Sequence, residues 1–104
     1  MLYVFLIVLI IYRRISKLSV EEKPVEVGKI THFFSKINVA VVELTAPLSV
    51  GDKIRIQGPT TDFEQTVQSM EIEHENVEAA KKGQSIGLRV NERVRENDTV
   101  YKTV

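Results

Sequence analysis

The sequence predicts an all-β fold, and more narrowly a small closed antiparallel β-barrel. Five or six short segments rich in β-forming residues are separated by turn formers, at the spacing of roughly eight to twelve residues that is typical of small barrels. Two of these segments change the parity of their apolar residues, at Gly28 and near Gln68–Ser69, as bent barrel strands do. In addition, Ala40–Gln57 has the pattern of a strand, a tight connection and a second strand.

The first predicted strand contains the parity change at Gly28, and the fourth contains the bend near Gln68–Ser69. The predicted strands are Val25–Phe34, Val39–Leu44, Lys53–Gln57, Phe63–His74, Ser85–Val90 and Thr99–Val104. Between the fourth and fifth strands, Asn76–Lys82 is predicted to form one helical turn, capped by Asn76 and stopped by Gly83.

The connection inside Ala40–Gln57 is predicted to be a turn. Pro47 fixes its own φ, and Gly51 can adopt a positive φ directly before the next strand. The inward positions of the adjoining strands then define a predicted core, which consists of Val41, Leu44, Leu48, Val50, Ile54, Ile56, Ile86 and Leu88.

Composition limits the functional classes. The chain has 104 residues, 14 basic and 14 acidic side chains and no cysteine. The length fits one domain, and the absence of cysteine excludes disulfides, thiolate metal sites and a cysteine nucleophile. Residues 24–104 hold ten bases and twelve acids, a net charge of −2, whereas dedicated RNA-binding domains usually carry a basic surplus.

An apolar leader precedes the domain. Met1–Tyr12 is followed by three cationic side chains within residues 13–17. As a helix it would extend about 18 Å, short of the roughly 30 Å hydrocarbon core of a bilayer. Two alternatives stay open: a marginal membrane anchor that leaves its C-terminal side in the cytoplasm, or a mis-assigned start, with the chain beginning near Leu18 or Val20. We therefore divide the chain into an apolar leader (1–18), a linker (19–24) and a β-barrel (25–104).

Two blocks of the sequence resemble a known family. Val27–Ile30, Val39–Leu44 and Leu48–Ile54, followed by Val77–Leu88, resemble in order and spacing the second domain of translational GTPases, the β-barrel of elongation factor Tu and its relatives. Ile30–Lys36 and Ile72–Glu75 are similar to small stand-alone translation elongation factor-like proteins and to the barrel that ends some collagenase-like peptidase-family proteins.

The resemblance implies a non-catalytic translation elongation factor-like binding module. Its expected partner is RNA, a ribonucleoprotein or a larger enzyme, and its expected location is the cytoplasm. No G-x-x-x-x-G-K-[ST] phosphate loop is present, so we expect neither GTP binding nor any cofactor. The alternative is a membrane-tethered protein-interaction adaptor with its barrel on the cytoplasmic side. The oligomeric state stays open.

Two groups of residues are candidates for contact with RNA or a partner. Phe33, Phe34 and Lys36 lie at the end of the first predicted hairpin. Either one phenylalanine faces outward, where it could stack on a base, or both fold beneath the loop, and we favour the second alternative. The other group is a local basic cluster formed by Arg89, Arg93, Arg95 and Lys102.

No metal or catalytic site is predicted. Glu71, Glu73 and Glu75 share one side of the predicted strand, but His74 points to the other. With two histidines and no cysteine, no pattern for nucleophilic catalysis emerges.

Overall fold

The computed structural model describes residues 24–103. The predicted leader, and with it the membrane-anchor alternative, lies outside the described residues. The described part is all-β, as predicted. It contains no helix long and apolar enough to span a membrane.

Ten strands are present in residues 24–103. They are β1 (Pro24–Phe34), β2 (Val39–Leu44), β3 (Leu48–Ser49), β4 (Lys53–Gly58), β5 (Thr61–Thr66), β6 (Met70–Ile72), β7 (Glu75–Val77), β8 (Ala79–Ala80), β9 (Ser85–Arg89) and β10 (Thr99–Thr103).

Eight strands form one antiparallel sheet in the order β5-β4-β10-β1-β2-β9-β6-β7, and β3 pairs with β8 in a small second sheet. The predicted closed barrel is not confirmed, because β5 and β7 end the sheet and no ladder in residues 24–103 joins them. Instead, the side chain of Gln65 on β5 donates to the Arg89 carbonyl at 2.8 Å and accepts from the Asn91 amide at 2.7 Å. One side chain thus links the β5 edge to the segment that follows β9.

β1 bends at two places. Its register with β10 shifts between Glu26 and Gly28, which confirms the irregularity predicted at Gly28. Its register with β2 shifts between Ile30 and His32, a second irregularity that the apolar parity did not reveal. Such bulges increase local twist and curve a long strand.

The predicted strand Phe63–His74 is split into β5 and β6. The break falls at the predicted bend, where the Val67 amide and carbonyl bond to Asp52 and Gly51 at 2.8 and 2.9 Å. The C-terminal end of the predicted strand is wrong. Glu73 and His74 have φ of 51° and 69° and form a two-residue hairpin turn between β6 and β7.

The helical turn predicted for Asn76–Lys82 is also wrong. Residues of this segment lie in β7 and β8. Ala80 pairs with Leu48 across the small sheet, and the Glu78 carbonyl accepts from the Val50 amide at 2.8 Å. These non-local hydrogen bonds override a weak local helix preference.

The core follows strand alternation and corrects two predicted members. Val41 is half-buried, because Ala40, Val42 and Leu44 take the inward positions of β2. Val50 is 41% exposed, because β3 ends at Ser49 and the chain turns there. The buried apolar side chains are Val27, Ile30, Ala40, Val42, Leu44, Leu48, Ile54, Ile56, Phe63, Val67, Met70, Ala80, Ile86, Leu88, Val90, Val94 and Val100.

The turn between β3 and β4 has the predicted geometry. Gly51 has a φ of 95°, in the left-handed region that favours glycine. Asp52 closes the turn, since its carboxylate accepts from the Ser49 amide at 2.9 Å.

Candidate functional site

The β1–β2 hairpin ends in a turn that holds apolar side chains out in solvent. Residues 35–38 form the turn, and the Ile37 amide donates to the Phe34 carbonyl at 3.3 Å. Asn38 has a φ of 54°, a conformation that asparagine tolerates better than most residues. Ile37 is 59% exposed and Phe34 is 47% exposed.

The two neighbouring phenylalanines differ in environment. Phe33 is partly buried and packs against the core, whereas Phe34 is exposed. The favoured alternative, in which both phenylalanines fold beneath the loop, is therefore not what the structure shows, because the Phe34 ring faces outward. The His32 ring lies edge-on to the Phe34 ring, with 4.4 Å between their centroids and 66° between their planes, and this contact restricts the exposed ring.

The loop between β9 and β10 borders the hairpin. An open depression is lined by His32, Phe33 and Ser35 on one side and by Arg93, Val94, Arg95 and Glu96 on the other. Val94 is buried in the core, so it anchors the loop while Arg93 and Arg95 project into solvent on either side of it.

A buried carboxylate fixes the same loop. Asp98 is 1% exposed, and its carboxylate accepts from the Arg95 amide at 2.8 Å. The backbone of this loop also bonds β1, since the Ile30 amide donates to the Asp98 carbonyl and the Asn97 amide donates to the Ile30 carbonyl, both at 2.8 Å. The position of Arg95 relative to the hairpin is therefore set by hydrogen bonds rather than left to a free loop.

Four cationic side chains lie around this end of the sheet. Lys36 is in the turn, Arg93 and Arg95 are in the neighbouring loop, and Arg89 on β9 pairs with Val39 at the start of β2. All four are exposed, and none takes part in an ion pair within residues 24–103.

One acidic group approaches the hairpin closely. The Glu96 carboxylate lies 3.7 Å from His32 Nδ1, and both side chains are more than half exposed. We call the exposed set His32, Phe34, Lys36, Ile37, Arg93 and Arg95 the tip surface.

Lys102, the remaining candidate, does not belong to the tip surface. It pairs with Val25 near the start of β1, nine positions before Phe34, which corresponds to roughly 30 Å along a strand. Its ammonium lies 3.7 Å from the Asp52 carboxylate and 3.5 Å from the Pro47 carbonyl. It therefore supports the turn between β3 and β4.

Sequence reasoning missed two members of the tip surface, Ile37 and His32. A signal for Ile37 was available, because a β-branched apolar residue is unusual in a turn otherwise made of Ser35, Lys36 and Asn38. His32 had no such signal, since it has the same parity as the buried Ile30 and faces outward only because the register of β1 shifts between these two residues.

Along β4 and β5 the exposed charges neutralise one another. Arg55 on β4 forms a bidentate pair with Asp62 on β5, at 2.8 and 3.0 Å. The hydrogen bond from Arg55 lowers the pKa of Asp62, and the hydrogen bond to Asp62 raises the pKa of Arg55. Lys53 pairs with Glu64 at 3.4 Å beside them. This face offers a partner little uncompensated charge.

The acidic segment around His74 forms the β6–β7 hairpin. Glu73 and His74 occupy its turn, and Glu71 pairs with Asn76 whereas Glu75 pairs with Ile72. Glu71 and Glu75 therefore lie on opposite faces of the hairpin, and the prediction that Glu71, Glu73 and Glu75 share one side is wrong. In residues 24–103 no three histidine, aspartate or glutamate side chains converge on a position where they could hold a metal ion. The expected absence of a cofactor stays a prediction.

Comparison with known proteins finds peptidases. No family model matches the chain. It is 45% identical over 80 residues to an uncharacterized protease of Methanocaldococcus jannaschii, covering 76% of this chain and 20% of that protein. It is 42% identical over 78 residues to a collagenase of Porphyromonas gingivalis, covering 73% of this chain and 22% of the relative. The chain thus spans about a fifth of the length of these curated relatives.

A solved structure shows the same fold. The C-terminal domain of a Geobacillus thermoleovorans protein described as a U32 peptidase superposes with a TM-score of 0.71 at 18% identity, covering 75% of this chain and 91% of that one. The predicted resemblance to the barrel that ends collagenase-like peptidases is therefore supported, whereas the resemblance to the second domain of elongation factor Tu is not confirmed.

The comparisons correct the predicted function. The relatives are named as a protease and a collagenase, so the expected translation elongation factor-like role is wrong. The blocks around Leu48–Ile54 and Val77–Leu88 are turn and strand signals of the fold, and they do not indicate a particular function. Contact with RNA stays a prediction.

Proposed function

We propose that residues 24–103 act as a non-catalytic accessory domain of a U32-type peptidase. The observation that carries the proposal is the 45% identity over 80 residues to a protease of which this chain spans 20%. The 18%-identical structure with the same fold is the C-terminal domain of a protein described as a U32 peptidase. A match of 80 residues within a relative about five times that length is the arrangement expected of an accessory domain.

The side chains of the described residues support a binding role. Amide hydrolysis needs an activated nucleophile or a metal-bound water, with a base in hydrogen-bond reach. His32 contacts an aromatic ring and Glu96, and His74 is in the turn of another hairpin. Within residues 24–103, neither histidine forms a hydrogen bond with a hydroxyl group.

The scaffold suits a module that presents its loops rigidly. We infer that the sheet curls until its β5 edge meets the segment after β9, and that Gln65 takes the place of the missing ladder there. The β3–β8 pair and the Val67 hydrogen bonds cover the same side of the core. A curled sheet with fixed edges holds the tip surface at one end.

A segment exchange in the collagenase of Porphyromonas gingivalis, which is 42% identical to this chain over 78 residues, tests the proposal. The intact protease, a version without the homologous segment, and a version carrying residues 24–103 of this chain in its place are compared for hydrolysis of gelatin. We expect the exchange to recover most of the activity that deletion removes, and the 104-residue chain alone to cleave nothing. Hydrolysis by the chain alone, or an exchange no better than the deletion, would contradict the proposal.

The location of the protein is a separate proposal. We propose that the domain works in the cytoplasm, with attachment to the membrane through residues 1–18 as the alternative. Fractionation of cells that express the full chain distinguishes the two, since an anchored chain sediments with membranes and is released only by detergent.

A further inference from the structure

We infer that the tip surface docks into an apolar pocket bordered by carboxylates on a folded protein. This inference rests on the proposed function, and the partner to which it commits is the catalytic domain of the U32-type peptidase.

The first support is the pair of exposed apolar side chains. Phe34 and Ile37 are 47% and 59% exposed, and both line one open depression at the turn. Isolated exposed hydrophobic residues are common on protein surfaces, as at Val25 and Val50. Phenylalanine is among the residues enriched in interface cores, and the exposed isoleucine beside it enlarges the apolar area that a partner can cover.

The second support is rigidity. The β1–β2 ladder runs to the last pair before the turn, Phe34 with Val39. His32 packs edge-on against the Phe34 ring, and hydrogen bonds fix the loop that carries Arg95. Ordering side chains and loops is a main cost of association, so a surface that is already ordered binds with less loss.

The third support is charge. Lys36, Arg89, Arg93 and Arg95 have no carboxylate partner within residues 24–103. These four cations outnumber the two exposed carboxylates of the neighbouring loop, Glu92 and Glu96. Cations around an apolar centre are complemented by an apolar pocket with aspartate or glutamate at its rim.

A nucleic acid fits these observations less well. Residues 24–103 carry a net charge of −2, and the β6–β7 hairpin presents Glu71, Glu73 and Glu75. Polyanion binding depends on a surplus of phosphate-neutralising cations. In addition, Ile37 is the most exposed apolar side chain of the tip, and an aliphatic group cannot stack on a base as an aromatic ring can.

Hydrogen exchange in the segment-exchanged protease tests the docking. We expect the amides of residues 34–38 to exchange more slowly there than in the 104-residue chain. Phe34→Ser and Ile37→Ser should each reduce this protection by about tenfold or more, the usual effect of losing an interface hot spot. Arg93→Glu should reduce it at low salt, and added salt should weaken the wild-type protection.

Val50→Ser is the matched control, since Val50 is also exposed but lies in the turn after β3. It should leave the protection unchanged. Thermal melts of all four variants of the 104-residue chain, followed by circular dichroism, should coincide with that of the wild type, because the substituted side chains lie outside the core.

Three results would overturn the inference. If gelatin hydrolysis is recovered but the tip amides exchange equally fast in both proteins, the accessory role stands and the docking surface is wrong. If Phe34→Ser and Ile37→Ser leave the protection of the tip amides intact, the docking surface is likewise wrong. If a twelve-nucleotide oligouridine protects the tip amides of the 104-residue chain and the tip variants abolish that effect, the partner is a nucleic acid rather than a protein.

Discussion

Replacing Gln65 by leucine should strongly destabilise the domain. Gln65 lies on β5 with the inward parity of Phe63 and Val67 and is only 6% exposed. Its amide group donates to the Arg89 carbonyl at 2.8 Å and accepts from the Asn91 amide at 2.7 Å. Leucine has a similar volume, so the exchange removes the two hydrogen bonds without leaving a large cavity.

The expected loss follows from these two bonds. Each hydrogen bond contributes about 0.5–1.5 kcal/mol net, and a buried backbone group left without a partner costs about 1–3 kcal/mol more. Because the site is partly open to solvent, water can satisfy one of the two groups, and we expect a total of about 2–4 kcal/mol. For a domain of this size, this corresponds to a fall in Tm of roughly 10–30 °C.

Urea denaturation followed by circular dichroism measures this loss directly. The matched control is Gln57→Leu, since Gln57 is an exposed glutamine on the neighbouring strand β4, and surface substitutions usually change stability by less than about 0.5 kcal/mol. If Gln65→Leu were as stable as Gln57→Leu, the side chain would not hold the β5 edge to the segment after β9, and our account of how the sheet closes would fail.

Three further predictions concern turns and charges. Gly51→Val should lower the free energy of unfolding by about 2 kcal/mol, because φ is positive at this position; an unchanged denaturation midpoint would contradict this. Glu73→Asn combined with His74→Gly should stabilise the domain by about 1 kcal/mol, since Asn-Gly suits a turn with two positive φ angles; calorimetry should show a higher Tm. Arg55→Gln should raise the pKa of Asp62 toward its ordinary value of about 3.9 in an NMR titration. The hydrogen bond from Arg55 lowers the pKa of Asp62 in the folded state. The contribution of this pair to stability is therefore present near neutral pH, and it is lost as the pH falls through the pKa of Asp62.

The sequence revealed the strands wherever local patterns determine them. Alternation located β4 and β9, and the parity change placed the bulge at Gly28. Prediction from the sequence failed where a segment pairs with residues that are distant along the chain. Asn76–Lys82 has the composition of a helical turn, but pairing with Leu48 draws its middle into β8. The turn at Glu73–His74 lacks the Asn-Gly or Asp-Gly signal of tight hairpins, so no local rule indicated it.

For Gln65, the sequence pattern indicates the orientation of the side chain but not its hydrogen-bond partners. Its parity places it inward with Phe63 and Val67, which could have marked it as a buried polar residue in need of partners. The partners are backbone groups of Arg89 and Asn91, more than twenty positions away. Sequence alone gives no way to identify them, because backbone groups carry no residue-specific signal.

The mistaken function has a physical cause as well. The matched blocks contain the turn at Gly51, the inward Leu48 and Ile54, and the strand around Ile86 and Leu88, all of which build the core. Such residues are selected for packing, so proteins with different functions can share them. Residues that contact partners are common on loops and hairpin ends, which is where Phe34, Ile37 and the Arg93–Arg95 segment lie. A resemblance carried by core positions therefore identifies the scaffold, and it is on such exposed positions that our proposal for the function depends.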